Sequence, residues 1–179
     1  MRIFKHVICA WAVFMLLTST LFAQEITYES EVHRVADSGV EVDIEVGVLN
    51  EKPVSIKISF ANLSDESRIL SIPANEVEMA KAIYIRHNGL YLKEYWRLNQ
   101  IMVHGAHGEQ LRLRTQSLQP EERVGWTFPI ADIVDDTESY DALESYQGMR
   151  ISFSFPMTVS EADGSVLSKD TLTIRWVNN

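Results

Sequence analysis

The densest grouping of potential ligands in the chain is His104-Gly105-Ala106-His107-Gly108-Glu109, two imidazoles and a carboxylate within six residues. Neutral imidazoles suit zinc, copper or nickel, and a carboxylate completes a plausible donor set on a loop that its glycines leave free to bend. A further strong ligand is missing locally; His33 or His87 supplies one only if the fold brings it close. The competing reading is a glycine-rich hairpin tip with incidental polar residues, because a metal site needs several ligands in fixed geometry. On that reading the chain carries no cofactor. A second grouping, Asp132, Asp135, Asp136, Glu138, Asp141 and Glu144, has the oxygen donors calcium prefers, but not the alternating spacing and glycine of a dedicated calcium loop. A solvated acidic loop is the expectation there. Nucleophilic catalysis has no support: the sequence holds no Gly-x-Ser-x-Gly elbow and no Ser-x-x-Lys pair, and its single cysteine is Cys9. The residues predict no enzyme.

A third grouping points to binding. Tyr84, Arg86, Tyr91 and Lys93 fall on one face of an expected hairpin, with Tyr95 and Trp96 just beyond it. Tyrosine, tryptophan and arginine dominate the energetics of protein interfaces, so these six residues form the candidate partner-binding surface. The same residue types also decorate ordinary exposed strands.

The elements that must position these groups are strands. From Val40 to Val48 an apolar residue recurs at every second place with acids between, the period of a half-buried strand, and Val54 to Phe60 alternates again. Pairing them as a hairpin with Val48 opposite Val54 matches their faces and sets Glu45 opposite Lys57. Arg68 to Pro73 reads as a short strand stopped by proline, and Asn75 as the cap of one helical turn. Asn88-Gly89, between Ile83–His87 and Leu90–Glu94, is the dipeptide best suited to a two-residue hairpin turn, and it sets His87 opposite Leu90. Further strands are expected at Ile101–His104, Gln110–Arg114, Val124–Phe128, Met149–Phe155 and Leu172–Trp176, with a short helix over Tyr140–Tyr146. Without crossover helices, the economical solution is antiparallel: an all-β, immunoglobulin-like β-sandwich of about eight or nine strands with one or two short helical turns. A closed barrel around a small ligand is the alternative.

The N-terminus sets the compartment. Arg2, Lys5 and His6 precede an apolar run over Val7–Leu17, and Thr18–Ala23 supplies small residues before an expected cut after Ala23. That is the layout of a signal peptide over residues 1–23, and the eleven-residue run is well short of the about 20 residues a membrane span requires. Residues 24–179 are then expected to form one domain, periplasmic or secreted, with no stable membrane insertion. Losing Cys9 with the leader leaves no disulfide, so stability rests on the core. Losing Arg2 and Lys5 takes the formal net charge from −9 to −11. Such a chain is repelled by phosphate backbones and anionic lipids, so nucleic acid is not an expected partner.

The strand followed by the Phe60-Ala61-Asn62-Leu63-Ser64 turn, the Asn88-Gly89 hairpin, and Leu118-Gln119-Pro120-Glu121-Glu122 before an aromatic strand resemble the layout of bacterial secreted immunoglobulin-like domains, including proteinase-inhibitor-like sandwiches. The resemblance spans roughly residues 54 to 160, lacks the glycine expected after Pro120, and transfers no functional residue. It implies a sandwich fold. The expected function is that of an exported, non-enzymatic binding module for a protein partner. An envelope enzyme inhibitor or immunity-type protein, or a small-ligand or metal carrier, are the alternatives.

Overall fold

The computed structural model describes residues 25–92, 95–98, 101–104, 111–134 and 136–179. The expected leader lies outside the described residues. Alternating strands dominate the rest. The first sheet holds β1 (Thr27–Val35), β2 (Val40–Leu49), β3 (Lys52–Asn62) and β10 (Arg123–Pro129), in the order β1-β2-β3-β10. The second is built on β11 (Arg150–Glu161). One edge of β11 pairs with β12 (Val166–Val177), and the other with both β4 (Arg68–Pro73) and β5 (Ile83–His87). β6 (Leu90–Tyr91) extends β5, and β9 (Leu113–Leu118) extends β4. A separate two-stranded ribbon joins β7 (Tyr95–Leu98) to β8 (Ile101–His104). Every pairing is antiparallel.

β4 and β5 lie end to end along β11 as one interrupted strand. The interruption follows from the sequence: Pro73 lacks a ladder donor, and the Asn75 side chain accepts from Glu78 N–H to start helix α1 (Glu76–Lys81), as the capping chemistry at Asn75 predicts. Glu78 is buried on this turn. Its carboxylate accepts from the Arg112 backbone N–H at 3.0 Å and from Arg112 Nε at 2.9 Å, with Lys81 Nζ at 3.5 Å. Burial pushes its pKa up, but the Arg112 hydrogen bonds and the two nearby cations outweigh it and hold the group below the ordinary carboxylate value.

The core fills the space between the two sheets. Val42, Ile44, Val46, Ile56, Ile58 and Phe60 from one sheet, and Leu70, Ile83, Ile85, Ile151, Phe153 and Val159 from the other, are all completely buried in one cluster. Phe60 meets Phe155 edge to face across the layer, with ring centroids 5.8 Å apart. The sheets are two separate layers rather than one closed wall.

Several local expectations change. The β2–β3 hairpin does set Glu45 opposite Lys57, but Val48 faces Pro53, not Val54. Asn50 and Glu51, both at positive φ, close a two-residue turn between Leu49 and Lys52; that tip is one residue out of step with the Glu45–Lys57 register, and a bulge at Gly47/Val48 absorbs the difference. The helix expected over Tyr140–Tyr146 is instead α2 (Thr137–Asp141), because the Asp136 carboxylate accepts from Glu138 and Ser139 N–H and so starts it earlier. Strand β9 runs over Leu113–Leu118 rather than Gln110–Arg114, since pairing with β4 carries Leu118 into the core. β1 and β7 were not expected. β1 is exposed along nearly its whole length, so it lacks the one-sided apolar alternation that marks the others.

Candidate binding face

The hairpin that carries the expected surface forms as its turn chemistry dictates. Asn88 and Gly89 both take positive φ, His87 pairs with Leu90, and Arg86 pairs with Tyr91. On β5, Ile83 and Ile85 point into the core while Tyr84 and Arg86 point out. Arg86 Nη2 donates to Gly89 O across the turn at 3.3 Å. Tyr91 occupies the position opposite Arg86 on β6. Tyr84, Arg86 and the Tyr91 position therefore belong to the outer face of one sheet.

The other three members separate from them. Tyr95 and Trp96 lie on β7, whose partner is β8 and not β6, so they belong to the ribbon rather than to that sheet. Lys93 lies outside the described residues. The metal candidates divide likewise: His104 pairs with Tyr95 at the end of the ribbon, while His107 and Glu109 lie outside the described residues. His33 is on β1 of the first sheet and His87 on β5 of the second. Among the described residues no three His, Cys, Asp or Glu side chains gather as a metal site. In the acidic stretch, Asp136 is occupied as a helix cap and Asp141 accepts from Lys52 Nζ at 2.6 Å, a hydrogen bond that raises the lysine's pKa. Asp135 lies outside the described residues.

β11 and β12 extend the outer face with residues the sequence reading passed over. β11 sets Arg150 directly opposite Arg86 and Ser152 opposite Tyr84. On its other edge, Arg150 faces Val177 and Ser152 faces Arg175. Two rows result, Tyr91–Arg86–Arg150–Val177 and Tyr84–Ser152–Arg175. Arg150 and Arg175 are exposed, and neither has an ion-pair partner among the described residues. Beyond these rows the face continues in hydroxyls, with Ser154 and Thr173 hydrogen-bonded at 3.0 Å, and then Lys169 opposite Thr158. Both arginines sit at polar positions of alternating strands, which was legible; that β11 lies between β5 and β12 was not.

The first sheet's outer face is electrostatically different. Glu41, Asp43 and Glu45 line β2, and each meets a cation: Arg34 at 3.4 Å from Glu41, Lys57 at 3.3 Å from Glu45, and Arg123 at 3.9 Å from Asp43. One Asp43 oxygen, Oδ1, is buried without a hydrogen-bond partner, and burial followed by the neighbouring Glu45 charge raises its pKa despite Arg123 and Lys57.

Two clefts flank the layers. One, of about 590 Å³, lies beside the β5–β6 turn between His87, Leu92, Leu143 and Glu144. His87 is buried, and its Nδ1 has no hydrogen-bond partner. The other, of about 340 Å³, opens where β1 and β12 meet, between His33, Val35, Met157 and Leu172.

No family model matches the chain, and no curated protein matches it. Among solved structures it is similar to a crystal structure of a protein from Archaeoglobus fulgidus, with a TM-score of 0.26 and 7% identity, covering 86% of this chain and 97% of that one. A likeness that loose carries no argument about function.

Proposed function

We propose that the chain is an exported, non-enzymatic β-sandwich of immunoglobulin-like kind that binds a protein partner through the outer face of its second sheet, centred on Tyr84 and Arg86. The observation that carries this reading is the pair of rows joining those residues to Arg150 and Arg175 on the outer side of one sheet. Aromatic and guanidinium groups give large contact area and directional donors at small entropic cost, and hydroxyls around them adapt to a partner's polar groups. The test is affinity capture from the source's exported fraction, run with the parent protein and with a Tyr84→Ser/Arg86→Ser variant. One stoichiometric protein held by the parent and lost by the variant is the expected result. A partner retained by both contradicts the location, and capture of nothing above background contradicts the module.

A small-ligand carrier is the second reading, favoured by the His87 cleft alone. Its sign is a melting temperature that rises with one compound from a metabolite panel and not with any protein.

A further inference from the structure

We propose that the chain pairs with a second copy of itself through the free edge of β1, joining two first sheets into one antiparallel sheet with four strands from each copy, in the order β10-β3-β2-β1-β1-β2-β3-β10. The inference is independent of the binding face, which belongs to the other sheet.

β1 closes the first sheet on one side, and among the described residues its strand pairing is with β2 alone. Such an edge carries a row of backbone N–H and C=O groups without ladder partners, and proteins usually blunt it with a short strand, a proline, a lysine or a bulge. β1 has none of these: it is nine residues long, TYESEVHRV, and pairs with β2 without a register shift. The opposite edge, β10, ends in Pro129, and the Arg114 guanidinium lies over its Trp126 ring at 5.7 Å from the centroid. β1 also overhangs the second sheet. Glu29, Glu31 and His33 lie opposite the buried Val46, Ile44 and Val42 and so occupy inward positions, yet all three are exposed, Glu29 while accepting from Trp176 Nε1 at 3.0 Å. The flank of the strand is thereby left open to another strand.

The order of residues along β1 selects its own sequence as the occupant. A two-fold axis perpendicular to the sheet keeps the inward positions of both copies on one side, and it passes through a residue that then faces itself. The registers with the greatest overlap are centred on Ser30, Glu31 or Val32. Centring on Ser30 sets Glu29 against Glu31 of the other copy twice, and centring on Glu31 sets that carboxylate against itself; like charges so placed destabilise a sheet. Centring on Val32 sets Val32 against Val32, Glu31 against His33 at two equivalent places, Ser30 against Arg34 and Glu29 against Val35. No carboxylate then faces another. Val32 is half exposed in the single chain, so the pairing takes apolar surface of both copies out of water. Inward charges that obstruct pairing with an arbitrary strand become partners in this register, which is how an edge excludes wrong neighbours. One strand pair is a small interface, below about 1,200 Å², so the expected association is micromolar.

The protein and its variants are made in the source, purified as that host processes them, and weighed by sedimentation velocity from about 1 to about 300 μM. The parent is expected to pass from monomer to dimer within that range. Val32→Lys sets an ammonium against its own copy at the axis, while within one chain it lies beside Asp43, its neighbour on β2, so the fold is kept. It is expected to weaken the dimer at least about fivefold without lowering the melting temperature. Leu63→Lys removes a similarly exposed apolar side chain from the loop after β3, and is expected to change the association less than about twofold. Charge exchange reads the register. His33→Glu faces Glu31 of the other copy and weakens self-association, and mixing it with Glu31→Lys restores a heterodimer, detected through a tag on one chain. A parent that stays monomeric over the whole range overturns the proposal, and so does a dimer equally tight in Val32→Lys, which puts the interface elsewhere. A dimer that His33→Glu weakens and Glu31→Lys fails to rescue overturns the register.

Discussion

At the scale of single residues, Asn62 makes four side-chain hydrogen bonds at a buried junction. It is completely buried where β3 leaves the first sheet. Its Nδ2 donates to Glu66 O at 2.8 Å and Leu118 O at 3.1 Å, and its Oδ1 accepts from Ser64 N at 3.0 Å and Ser64 Oγ at 2.7 Å. Its backbone exchanges bonds with Glu121 and Glu122. One amide thus ties the β3–β4 loop to the turn after β9, and every one of its polar groups is satisfied. Asn62→Ala removes the side-chain donor to Leu118 O and the acceptor of Ser64 N–H, leaving Glu66 O only its bond from Ser64 Oγ, and is expected to destabilise the fold by about 2–4 kcal/mol in urea unfolding. A loss under about 0.5 kcal/mol contradicts this role. The sequence read Asn62-Leu63-Ser64 correctly as turn chemistry. Its partners at Leu118 and Glu121 are more than fifty positions away, so spacing along the chain held no trace of them.

At the scale of elements, the legible features were those governed by neighbours in sequence. Alternation gave the strands; Asn75 gave α1; Asn88-Gly89 gave the β5–β6 register. The features that needed the third dimension were missed or misplaced. The bulge at Gly47/Val48 reconciles a turn with a distant register, and β1 has no buried face to announce it. The candidate surface divided for the same reason: Tyr95 and Trp96 follow Tyr91 closely in sequence, but their strand pairs with β8. The turn after β9 shows a local rule being broken. Glu122 N donates to Gln119 O at 3.0 Å around Pro120-Glu121, and Glu121 takes φ 63°, the left-handed conformation in which glycine is at home. That is the position where the resemblance called for glycine. Glu121→Gly relieves the left-handed penalty of about 1–2 kcal/mol while adding chain entropy to the unfolded state, so a net gain of about 0.5–1 kcal/mol is expected. A lower melting temperature in that variant argues against the account of this turn.

At the scale of the whole molecule, the two outer faces handle charge in opposite ways, and the first sheet's face carries a pH response. On the first sheet, three acids alternate along β2 against three cations. Asp43 is the member least well served, with its pKa raised above the ordinary 3.8. A carboxyl whose folded pKa is raised binds its proton more tightly in the folded state. Its unfavourable contribution is absent at low pH, sets in as pH rises past the ordinary value, and is complete above the folded one. Asp43→Asn is therefore expected to melt higher than the parent near neutral pH, with the gap closing as pH falls below about 4. A gap that widens on acidification contradicts that reading. Glu78 behaves in the reverse sense: its stabilisation is present above the ordinary carboxylate range and is lost as pH falls through its lowered folded value.

The second sheet leaves its cations facing outward, and the central claim is that this surface binds a protein. The most direct test is the dissociation constant of the captured partner, measured by titration calorimetry for the parent and for Tyr84→Ser/Arg86→Ser, with circular dichroism confirming that both are folded. The account predicts a one-to-one complex in the parent and at least about a hundredfold loss in the variant, the scale of a hot-spot pair. A folded variant that binds as tightly as the parent contradicts it.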